Sequence, residues 1–419
     1  MKNILFLSFI KYKTINVHDF YADILRNYVK DGHHVYVVTP VESKYGIETS
    51  VLKETGCDIL QVKIGGYFNV NSVRKGITLI EIEHQVITAI KKYWSSVKFD
   101  MVLYATPPIS FAKVIQYIKK RDNAVSYLML KDIFPQNAVD LGMMSKTGIK
   151  SVLYKHFRKQ EKQLYCYSDR IGCMSQANVD YVLKHNPEIS SSKLEICPNC
   201  IQPQDMSISP EERNELRRKY NIPLDKTVFV YGGNLGKPQG IPFIIECLKK
   251  QKKNSDAYFL IVGGGTEFEK LQEFFNIEKP ENMKLMSKLP KDDYDRMVAA
   301  CDVGLIFLDH RFTIPNFPSR LLSYMQAKLP VLAATDPNTD IGEVISQGGF
   351  GWWCESKNVN DYLDTLYAIV DEWKNNPETF AQRGKNAKTY LEQNFRTEIA
   401  YDEIIQSYNS WKVTNGGKA

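Results

Sequence analysis

The sequence predicts an α/β protein built from two parallel-sheet domains. Apolar runs of strand length, such as Asn3–Ile10 and Val303–Leu308, recur along the chain and contain the β-branched residues typical of strands buried on both faces. Segments with apolar residues at helical spacing separate these runs. The chain has 419 residues, and at roughly 100 to 200 residues per domain it has room for two or three domains.

The first half begins with a βαβ unit. Apolar residues from Val17 to Tyr28 follow the first strand at helical spacing, and Gly32 ends this helix before the strand Val35–Val38. The other elements predicted here are helices at 81–94 and Gly148–Tyr165, and strands at Met101–Tyr104, Tyr127–Leu130, Ile171–Met174 and Leu194–Cys197. Pro203 and Pro210, with the polar residues around them, predict a domain boundary near 200–212.

The second half repeats this alternation. Its predicted strands are Thr227–Tyr231, Tyr258–Val262, Val303–Leu308 and Val331–Ala334, and residues 359–412 are predicted to be mostly helical.

The segment Phe312–Ala334 is the centre of the second half. Pro318 and Ser319 predict a helix start in which the Ser319 side chain caps free backbone N–H groups, and Pro330 ends the helix. The order strand, loop, helix, strand places this start at the carboxyl end of a parallel sheet, where open α/β sheets bind ligands. An uncovered helix N-terminus there suits a phosphate.

Two glycine-rich turns follow strands of the second half. The first, Gly232–Gly240, reads GGNLGKPQG, and the second contains three glycines at 263–265. Glycines let the backbone approach a phosphate, and Lys237 supplies a compensating charge. An ordinary strand-to-helix turn is the alternative for the first. The second is not a dinucleotide fingerprint, because Phe268 stands at the third glycine position.

These features resemble the retaining family 4 glycosyltransferases. The resemblance lies in both glycine turns, in Pro198–Ile201 (PNCI), in Asp132–Gly142, and in PSRLLSYM at 318–325 followed by Pro330-Val331. The last block looks like that of the bacterial fucosamine and polysaccharide-biosynthesis transferases, which have Pro-Ser-Lys-Leu and Ser there. The resemblance implies the GT-B fold, with two Rossmann-like parallel-sheet domains facing a central cleft.

The resemblance also implies the domain roles. Residues 1–202 would form an N-terminal acceptor-binding domain, and residues 203–395 a C-terminal nucleotide-sugar-binding domain. Residues 396–419 would form a C-terminal helix that returns to the N-terminal domain, with Tyr401–Trp411 packed there.

The chain departs from the family pattern at charged positions. The two glutamates of the family would fall at Pro315 and Ser323, so both carboxylates are missing. Asn234 stands where many members have an arginine. We predict that Arg311 supplies the missing charge, since a guanidinium can grip a diphosphate at two points. A surface salt bridge is the alternative for Arg311.

We predict catalytic roles for Asp132, Lys237 and Arg311. Asp132 follows a strand, where a carboxylate can accept a proton or hold a sugar hydroxyl, and capping of the next helical turn is the alternative. Backbone N–H groups at 233–236 and at 319–321, with Lys237 and Arg311, would stabilise charge that develops on the leaving diphosphate. The residues predicted to bind the donor are Gly233, Asn234, Gly236, Lys237, Gly263, Gly265, Ser319, Arg320, Leu321 and Ser323. No metal site and no cofactor other than the donor substrate are predicted.

The charge is split unevenly between the halves. Residues 1–200 contain 27 Lys plus Arg against 18 Asp plus Glu, a net +9, and the remainder contains 27 against 30, a net −3. The basic half and the resemblance together predict a lipid-diphosphate-linked acceptor and peripheral contact with an anionic membrane. Nucleic acid is not expected, since the chain has no zinc-finger spacing, no recognisable RNA-binding signature and no basic tail.

The predicted helix Gly148–Tyr165 has an apolar side that includes Ile149, Val152 and Leu153, with basic residues around the rest. Such a helix can lie on anionic lipid. The alternative is that its apolar side packs on the domain core.

The location follows from what the sequence lacks. No apolar run approaches the ~18 residues needed to span a bilayer, and Lys11-Tyr12-Lys13 follows the first apolar run where a signal peptide needs small residues. We expect a cytoplasmic protein, peripheral on the inner face of the cell membrane, with eight reduced cysteines. Zinc bound by Cys197 and Cys200 with two upstream cysteines is a weak alternative, because the upstream pair is too widely spaced.

The predicted reaction transfers a hexosyl or N-acetylhexosaminyl group from a nucleoside-diphosphate sugar, UDP-linked, to a lipid-linked saccharide with retention of anomeric configuration. It would serve bacterial surface polysaccharide biosynthesis, such as capsule or O-antigen, without a bound metal. A GT-B-fold sugar-nucleotide epimerase is one alternative. The other is a non-catalytic partner subunit, which the missing glutamates suggest.

Overall fold

The chain divides into two units, which a computed structural model describes over residues 1–66, 72–107, 109–148, 151–251 and 256–415. The first unit comprises Met1–Gln202 with Thr397–Ala419, and the second comprises Pro203–Arg396. Each unit is built on its own mainly or wholly parallel sheet. The predicted α/β class with two parallel-sheet domains is therefore confirmed.

The sheet of the first unit has eight strands. They are β1 (Asn3–Leu7), β2 (His34–Glu42), β3 (Ser50–Glu54), β4 (Cys57–Ile64), β5 (Met101–Thr106), β6 (Val125–Leu130), β7 (Arg170–Cys173) and β8 (Leu194–Ile196). Their order is β3-β4-β2-β1-β5-β6-β7-β8, and all neighbours are parallel except β3 and β4.

Helices cover both faces of this sheet. They are α1 (Phe20–Lys30), α2 (Ser72–Tyr93), α3 (Ala112–Asp122), α4 (Gln136–Asp140), α5 (Ser151–Tyr167) and α6 (Gln176–His185). Alternate residues of β1 enter different hydrophobic cores, with Leu5 and Leu7 in one and Ile4 and Phe6 in the other. A strand buried on both faces therefore reads as a continuous apolar run.

The sheet of the second unit has six parallel strands. They are β9 (Thr227–Asn234), β10 (Ala257–Gly264), β11 (Met283–Met286), β12 (Val303–Phe307), β13 (Val331–Thr335) and β14 (Gly351–Glu355), in the order β11-β10-β9-β12-β13-β14. The chain moves outward from β9 through β10 to β11, and in the other direction from β12 through β13 to β14. The strand order therefore reverses between β9 and β12.

The helices of the second unit are α7 (Pro210–Lys219), α8 (Ile241–Gln251), α9 (Phe268–Glu278), α10 (Lys291–Ala299), α11 (Arg320–Gln326), α12 (Ile341–Gly348), α13 (Val359–Asn375) and α14 (Pro377–Asn394).

The last helix, α15 (Thr397–Asn415), belongs to the first unit and packs on α1. The Tyr401 hydroxyl donates to Asp31 Oδ2 at 2.6 Å, and the Tyr401 ring lies edge-on to Tyr28 with centroids 4.8 Å apart. Further along the helix, the Ser407 hydroxyl donates to Glu195 at 2.5 Å.

One helix boundary differs from the prediction, and some strands were not predicted. The first helix begins at Phe20 rather than at Val17, because Asp19 Oδ1 accepts hydrogen bonds from the Tyr21 and Ala22 N–H groups at 3.0 Å. The antiparallel pair of β3 and β4 and the edge strand β14 were not predicted. Their residues have no long apolar run, since they lie toward the edges of the sheets.

A buried ion pair holds α7 against the strands of the second unit. Arg217 is fully buried, and its Nη2 lies 2.6 Å from Asp302 Oδ2. Arg217 also donates to the Ala300 carbonyl at 2.8 Å, and Asp302 accepts from the Val228 N–H at 2.7 Å. Asp302 immediately precedes β12 and Val228 lies near the start of β9, so the pair joins the amino ends of both strands to α7.

Replacing Arg217 tests the contribution of this ion pair to stability. Arg217→Leu leaves the buried Asp302 carboxylate without its main partner, and we expect the free energy of unfolding in urea to fall by ~3 kcal/mol. Arg213, whose Nη2 lies 2.6 Å from Asp302 Oδ1, limits the loss. The matched control is Arg218→Leu at the next, exposed position of α7, which should change stability by less than about 0.5 kcal/mol. Equal losses in the two variants would contradict the role of the ion pair.

Candidate functional site

The candidate site of the second unit lies at the carboxyl ends of β9 and β12, where the strand order reverses. Open α/β sheets bind ligands at such a point. The glycine turn Gly232–Gly240 extends from β9, and Asp309 and Arg311 follow β12. The two loops are joined, because the Asp309 N–H donates to the Pro238 carbonyl at 2.9 Å.

The two glycine turns pack backbone against backbone. Gly233 has φ +126°, and a Cβ built there would lie 2.8 Å from Arg320 Nη2. A Cβ on Gly263 would clash with the Gly233 carbonyl, and one on Gly265 with the Leu235 carbonyl. The glycines at 263 and 265 therefore have a packing reason, and their predicted contact with the donor stays a prediction.

Part of the predicted phosphate cradle is occupied by internal hydrogen bonds. The Leu235 N–H donates to the Gly264 carbonyl at 3.0 Å, and the Gly236 N–H donates to Gln239 Oε1 at 3.1 Å. The exposed Asn234 side chain donates to the same Gln239 oxygen at 3.1 Å. Of the N–H groups at 233–236 that are predicted to bind the diphosphate, those of Leu235 and Gly236 are therefore not free, since each already has an acceptor.

Arg320, the first residue of α11, carries an unpaired charge beside this turn. Its Cζ lies 4.1 Å from the centroid of the Tyr231 ring. Its Nη1 is buried without a hydrogen-bond partner, and none of the described carboxylates forms an ion pair with it. Burial lowers the pKa of Arg320, but the nearby Tyr231 and Tyr324 hydroxyls raise it by more, so the guanidinium stays charged. The side chain as a whole is half-buried. A cationic nitrogen that is buried without a partner is costly, which makes this side chain suited to an anionic ligand.

The Tyr324 hydroxyl fixes α11 against the strands. It lies 3.1 Å from the carbonyl oxygens of Val230 in β9 and Leu305 in β12, and it accepts from the Gly232 N–H at 3.2 Å. Tyr294 packs so closely on Gly232 that a Cβ there would clash with its ring. One buried side chain thus bridges both strands at the reversal point and sets the position of Arg320.

The start of α11 differs from the predicted one. Ser319 has helical backbone angles, φ −61° and ψ −20°, and its side chain caps no N–H group. The predicted cap is wrong because a capping side chain needs an extended backbone to reach the next turn. Leu321 is buried and its N–H donates to the Pro318 carbonyl at 3.2 Å, so it is not a free donor. Ser323 lies half-buried one turn further along α11.

The other two predicted cations differ in their contacts. Both Asp309 oxygens accept from Arg311, at 2.9 Å from Nε and 2.7 Å from Nη2, and Arg311 is half exposed. The structure therefore contains the surface salt bridge that the sequence analysis gave as the alternative for Arg311. The Lys237 ammonium is exposed and forms no hydrogen bond or ion pair with the described part of the chain.

Asp132 lies in the first unit, two residues after β6. Its Oδ2 accepts from Asn137 Nδ2 at 2.7 Å, whereas its Oδ1 and Asn137 Oδ1 are buried without hydrogen-bond partners among the described residues. Burial raises the pKa of Asp132 to about 6, although hydrogen bonds from the Ile133 backbone and from Asn137 oppose the shift. Pro135 rather than Asp132 occupies the cap position of α4, so two adjacent acceptors are left to bind hydroxyl groups.

The described ranges show neither a disulfide nor a cluster of metal ligands. All eight cysteines are free. No group of three or more His, Cys, Asp or Glu among the described residues is placed to hold a metal ion. In the same ranges, none of the helices combines the length and apolarity that crossing a membrane requires.

A family model matches most of the second unit. Residues 212–389 match the family model described as glycosyl transferases group 1. The candidate site, from Gly232 to Ser323, lies entirely inside the matched segment. A curated relative, "Probable glycosyltransferase WbjE" of Pseudomonas aeruginosa, is 24% identical over 296 residues, which cover 70% of this chain and 71% of WbjE.

Solved structures with this architecture span the whole chain. Anabaena HepE in complex with UDP-glucose has a TM-score of 0.70 at 15% identity, over 98% of this chain and 100% of HepE. WaaG, a glycosyltransferase involved in lipopolysaccharide biosynthesis, has a TM-score of 0.66 at 15% identity, over 96% of this chain and 99% of WaaG. These structural matches, together with the two parallel-sheet units, show that the chain has the predicted GT-B fold.

Sequence reasoning missed the tyrosines that surround Arg320. Tyr231 ends the apolar run of β9, Tyr294 lies in α10 and Tyr324 lies in α11. Each fits the apolar pattern of its own element, so nothing local distinguishes it from a core residue. Only the two glycines that leave room for these rings, Gly232 and Gly304, mark the positions.

The raised pKa of Asp132 predicts a pH-dependent stability. Folding disfavours the ionised carboxylate, so wild type loses stability as the pH rises through about 6. Asp132→Asn should therefore be more stable than wild type at neutral pH, by about 1–3 kcal/mol, and the difference should vanish below about pH 4. Urea unfolding across this range measures it. Asp180→Asn, at an exposed position of α6, is the control. A stability difference between Asp132→Asn and wild type that does not change with pH would contradict the raised pKa of Asp132.

Proposed function

We propose that the chain is a retaining family 4 glycosyltransferase of the fucosamine and polysaccharide-biosynthesis type. It transfers a hexosyl or N-acetylhexosaminyl group from a UDP-sugar to a lipid-linked saccharide on the cytoplasmic face of a bacterial membrane, for surface polysaccharide. The supporting comparisons are the match of residues 212–389 to the group 1 family model, the UDP-glucose complex of HepE and the lipopolysaccharide role of WaaG. The observation that carries the proposal is the unpaired guanidinium of Arg320 beside the Gly233 turn.

In this proposal the second unit, Pro203–Arg396, binds the donor. The reaction breaks the bond between the anomeric carbon and the diphosphate, and the leaving diphosphate gains negative charge. Arg320 and Lys237 stabilise that charge, since charge-assisted hydrogen bonds from a preorganised cation strengthen as the charge develops. The N–H groups of Ser319 and Arg320, which have no acceptor among the described residues, add donors at the same helix start. These cations can supply the charge stabilisation without a resident metal.

The first unit binds the acceptor in the same proposal, through its residues 1–202. The acceptor hydroxyl forms the new bond to the anomeric carbon and releases its proton. Asp132 holds that hydroxyl through its free Oδ1, and with a pKa of about 6 its ionised form accepts the proton at neutral pH. The neighbouring Asn137 Oδ1 accepts from a second sugar hydroxyl.

Removing the Arg320 charge tests the donor site. Arg320→Met should weaken UDP binding by about 10- to 100-fold, the value of one or two charged hydrogen bonds. The free protein should keep its stability or gain slightly, because the buried and unpartnered Nη1 of the half-buried Arg320 is lost. Thermal denaturation with and without UDP measures both effects, and Arg320→Lys should retain part of the UDP shift.

Arg311→Met is the matched control for this test. Its guanidinium already pairs with Asp309, so we expect little change in the UDP shift. An Arg320→Met variant that binds UDP as wild type does, or a larger loss in Arg311→Met, would contradict the assignment of the diphosphate to Arg320.

Replacing Asp132 distinguishes the proposed proton transfer in the first unit from donor binding in the second. Asp132→Asn should lower the transfer rate by about 100-fold or more, the usual contribution of a general base, while the UDP-induced thermal shift stays unchanged. Donor turnover with a lipid-linked acceptor measures the first quantity. Full transfer by Asp132→Asn would argue against its role, and isomerised nucleotide sugar formed without acceptor would favour an epimerase.

A further inference from the structure

We propose that Thr106 and Lys131 are positioning residues that hold the Asp132 carboxylate in place for proton transfer. Thr106 ends β5, and Lys131 and Asp132 follow β6, its neighbour in the sheet. Neither residue touches the reacting atoms in the proposed reaction, since both act through the backbone of Asp132. The inference rests on the proposed function, in which Asp132 accepts the proton of the acceptor hydroxyl.

The proton-accepting oxygen of Asp132 depends on its backbone for its position. A general base must lie within about 2.6–3.2 Å of the atom whose proton it removes. Asp132 Oδ2 is held by Asn137 at 2.7 Å, but Oδ1 has no hydrogen-bond partner among the described residues. No contact of its own therefore aims Oδ1 at a hydroxyl group, and the placement of the 131–132 backbone decides where it lies.

The Thr106 hydroxyl binds this backbone from the β5 side. It donates to the Asp132 carbonyl at 3.1 Å and accepts from the Lys131 N–H at 3.3 Å. Thr106 is only 2% exposed, so water does not compete for these two bonds. One hydroxyl group thus fixes a donor of one residue and an acceptor of the next.

The Lys131 side chain anchors the same backbone from the other side of β6. Its Nζ donates to the Cys197 and Pro198 carbonyls at 3.0 and 3.3 Å, and it lies 4.4 Å from the centroid of the Phe20 ring. Cys197 and Pro198 follow β8, two strands beyond β6. Within the described ranges no carboxylate pairs with Lys131. Backbone carbonyls rather than a counter-ion therefore set the position of this side chain.

These two anchors keep the Asp132 carboxylate in a buried place. Burial raises the pKa of Asp132 to about 6, and the Glu161 carboxylate in α5 adds to the shift. Glu161 is itself buried and lies 2.6 Å from Arg158 Nη1. Lys131 directs its amino group to the carbonyls that follow β8. Without the anchors, water would reach Oδ1, and the pKa of Asp132 would fall toward its ordinary value of about 4.

Urea unfolding measures this pKa without any substrate. The quantity is the ratio of the unfolding constants of a parent protein and of its Asp132→Asn derivative at neutral pH, which we call the Asp132 ratio. With Thr106→Val or Lys131→Met as the parent, the Asp132 ratio should be about tenfold smaller than with wild type, which corresponds to a pKa lower by about one unit. Thr106→Ser keeps the hydroxyl and Lys131→Arg keeps the donors, so both should retain most of the wild-type ratio.

Tyr104→Phe is the matched control for a general loss of stability. It removes another buried hydrogen bond of β5, which joins the Tyr104 hydroxyl to Ser168 Oγ at 2.6 Å. Tyr104 pairs with Leu128, four residues before Asp132, so this variant should lower stability and leave the Asp132 ratio unchanged. Lys120→Met, at an exposed position of α3, controls for the lost charge. A Thr106→Val protein that behaves like Tyr104→Phe would overturn the positioning role.

A transfer assay separates this inference from the proposed function. With UDP-glucose as donor and prenyl-diphosphate-linked N-acetylglucosamine as acceptor, Thr106→Val should lower kcat about tenfold and leave KM for the donor and the UDP-induced thermal shift unchanged. An unchanged Asp132 ratio beside an inactive Asp132→Asn would reject only the positioning residues. Full transfer by Asp132→Asn would reject the proposed base as well, because no proton transfer would then need this carboxylate.

Discussion

The hydroxyl of Tyr324 is the contact on which the candidate donor site depends. It joins the carbonyls of Val230 and Leu305 in the two strands at which the sheet changes direction, and it receives the Gly232 N–H. Polar groups buried in a core are tolerated when they are hydrogen-bonded, and this one is shared among three backbone groups. The helix that carries Tyr324 is therefore held at a fixed distance from the glycine turn. Because Arg320 lies four positions earlier on the same helix, this contact also fixes the position of Arg320.

In each unit, a predicted site residue has a buried polar atom without a hydrogen-bond partner. In the second unit this atom is Arg320 Nη1, and in the first it is Asp132 Oδ1, which lies beside the equally unpartnered Asn137 Oδ1. Folded proteins satisfy nearly all such groups internally, so those left over at the carboxyl end of a parallel sheet are candidates for ligand contact. Their chemistry is complementary, because a cationic donor suits a diphosphate and paired acceptors suit sugar hydroxyls. Both fit the proposed transfer reaction.

The structure also bears on the arginine that is typical of the resembling family and that this chain lacks. Asn234 occupies the usual arginine position, but its side chain binds Gln239 and helps to close the turn. The proposed diphosphate cation stands instead on α11, where Tyr231 supports it from one side and Gly233 leaves room on the other. Arg311, which follows β12, is paired with Asp309. In this arrangement the charge reaches the same turn from a different element.

The sequence by itself determined the two-sheet α/β architecture and the glycine turns, because buried parallel strands and phosphate-binding turns have patterns that depend on neighbouring residues only. It also singled out Asp132 and the segment from Phe312 to Ala334. The choice between Arg311 and Arg320 required the tertiary structure, since it depends on which guanidinium meets Asp309 and which meets Tyr231. Val152 is 70% and Leu153 51% exposed, so the apolar side of α5 does not pack on the core along its whole length; Ile149, predicted on the same side, lies outside the described residues. This exposure and the failed Ser319 cap have the same cause, since contacts between residues distant in the chain decide both burial and backbone angles.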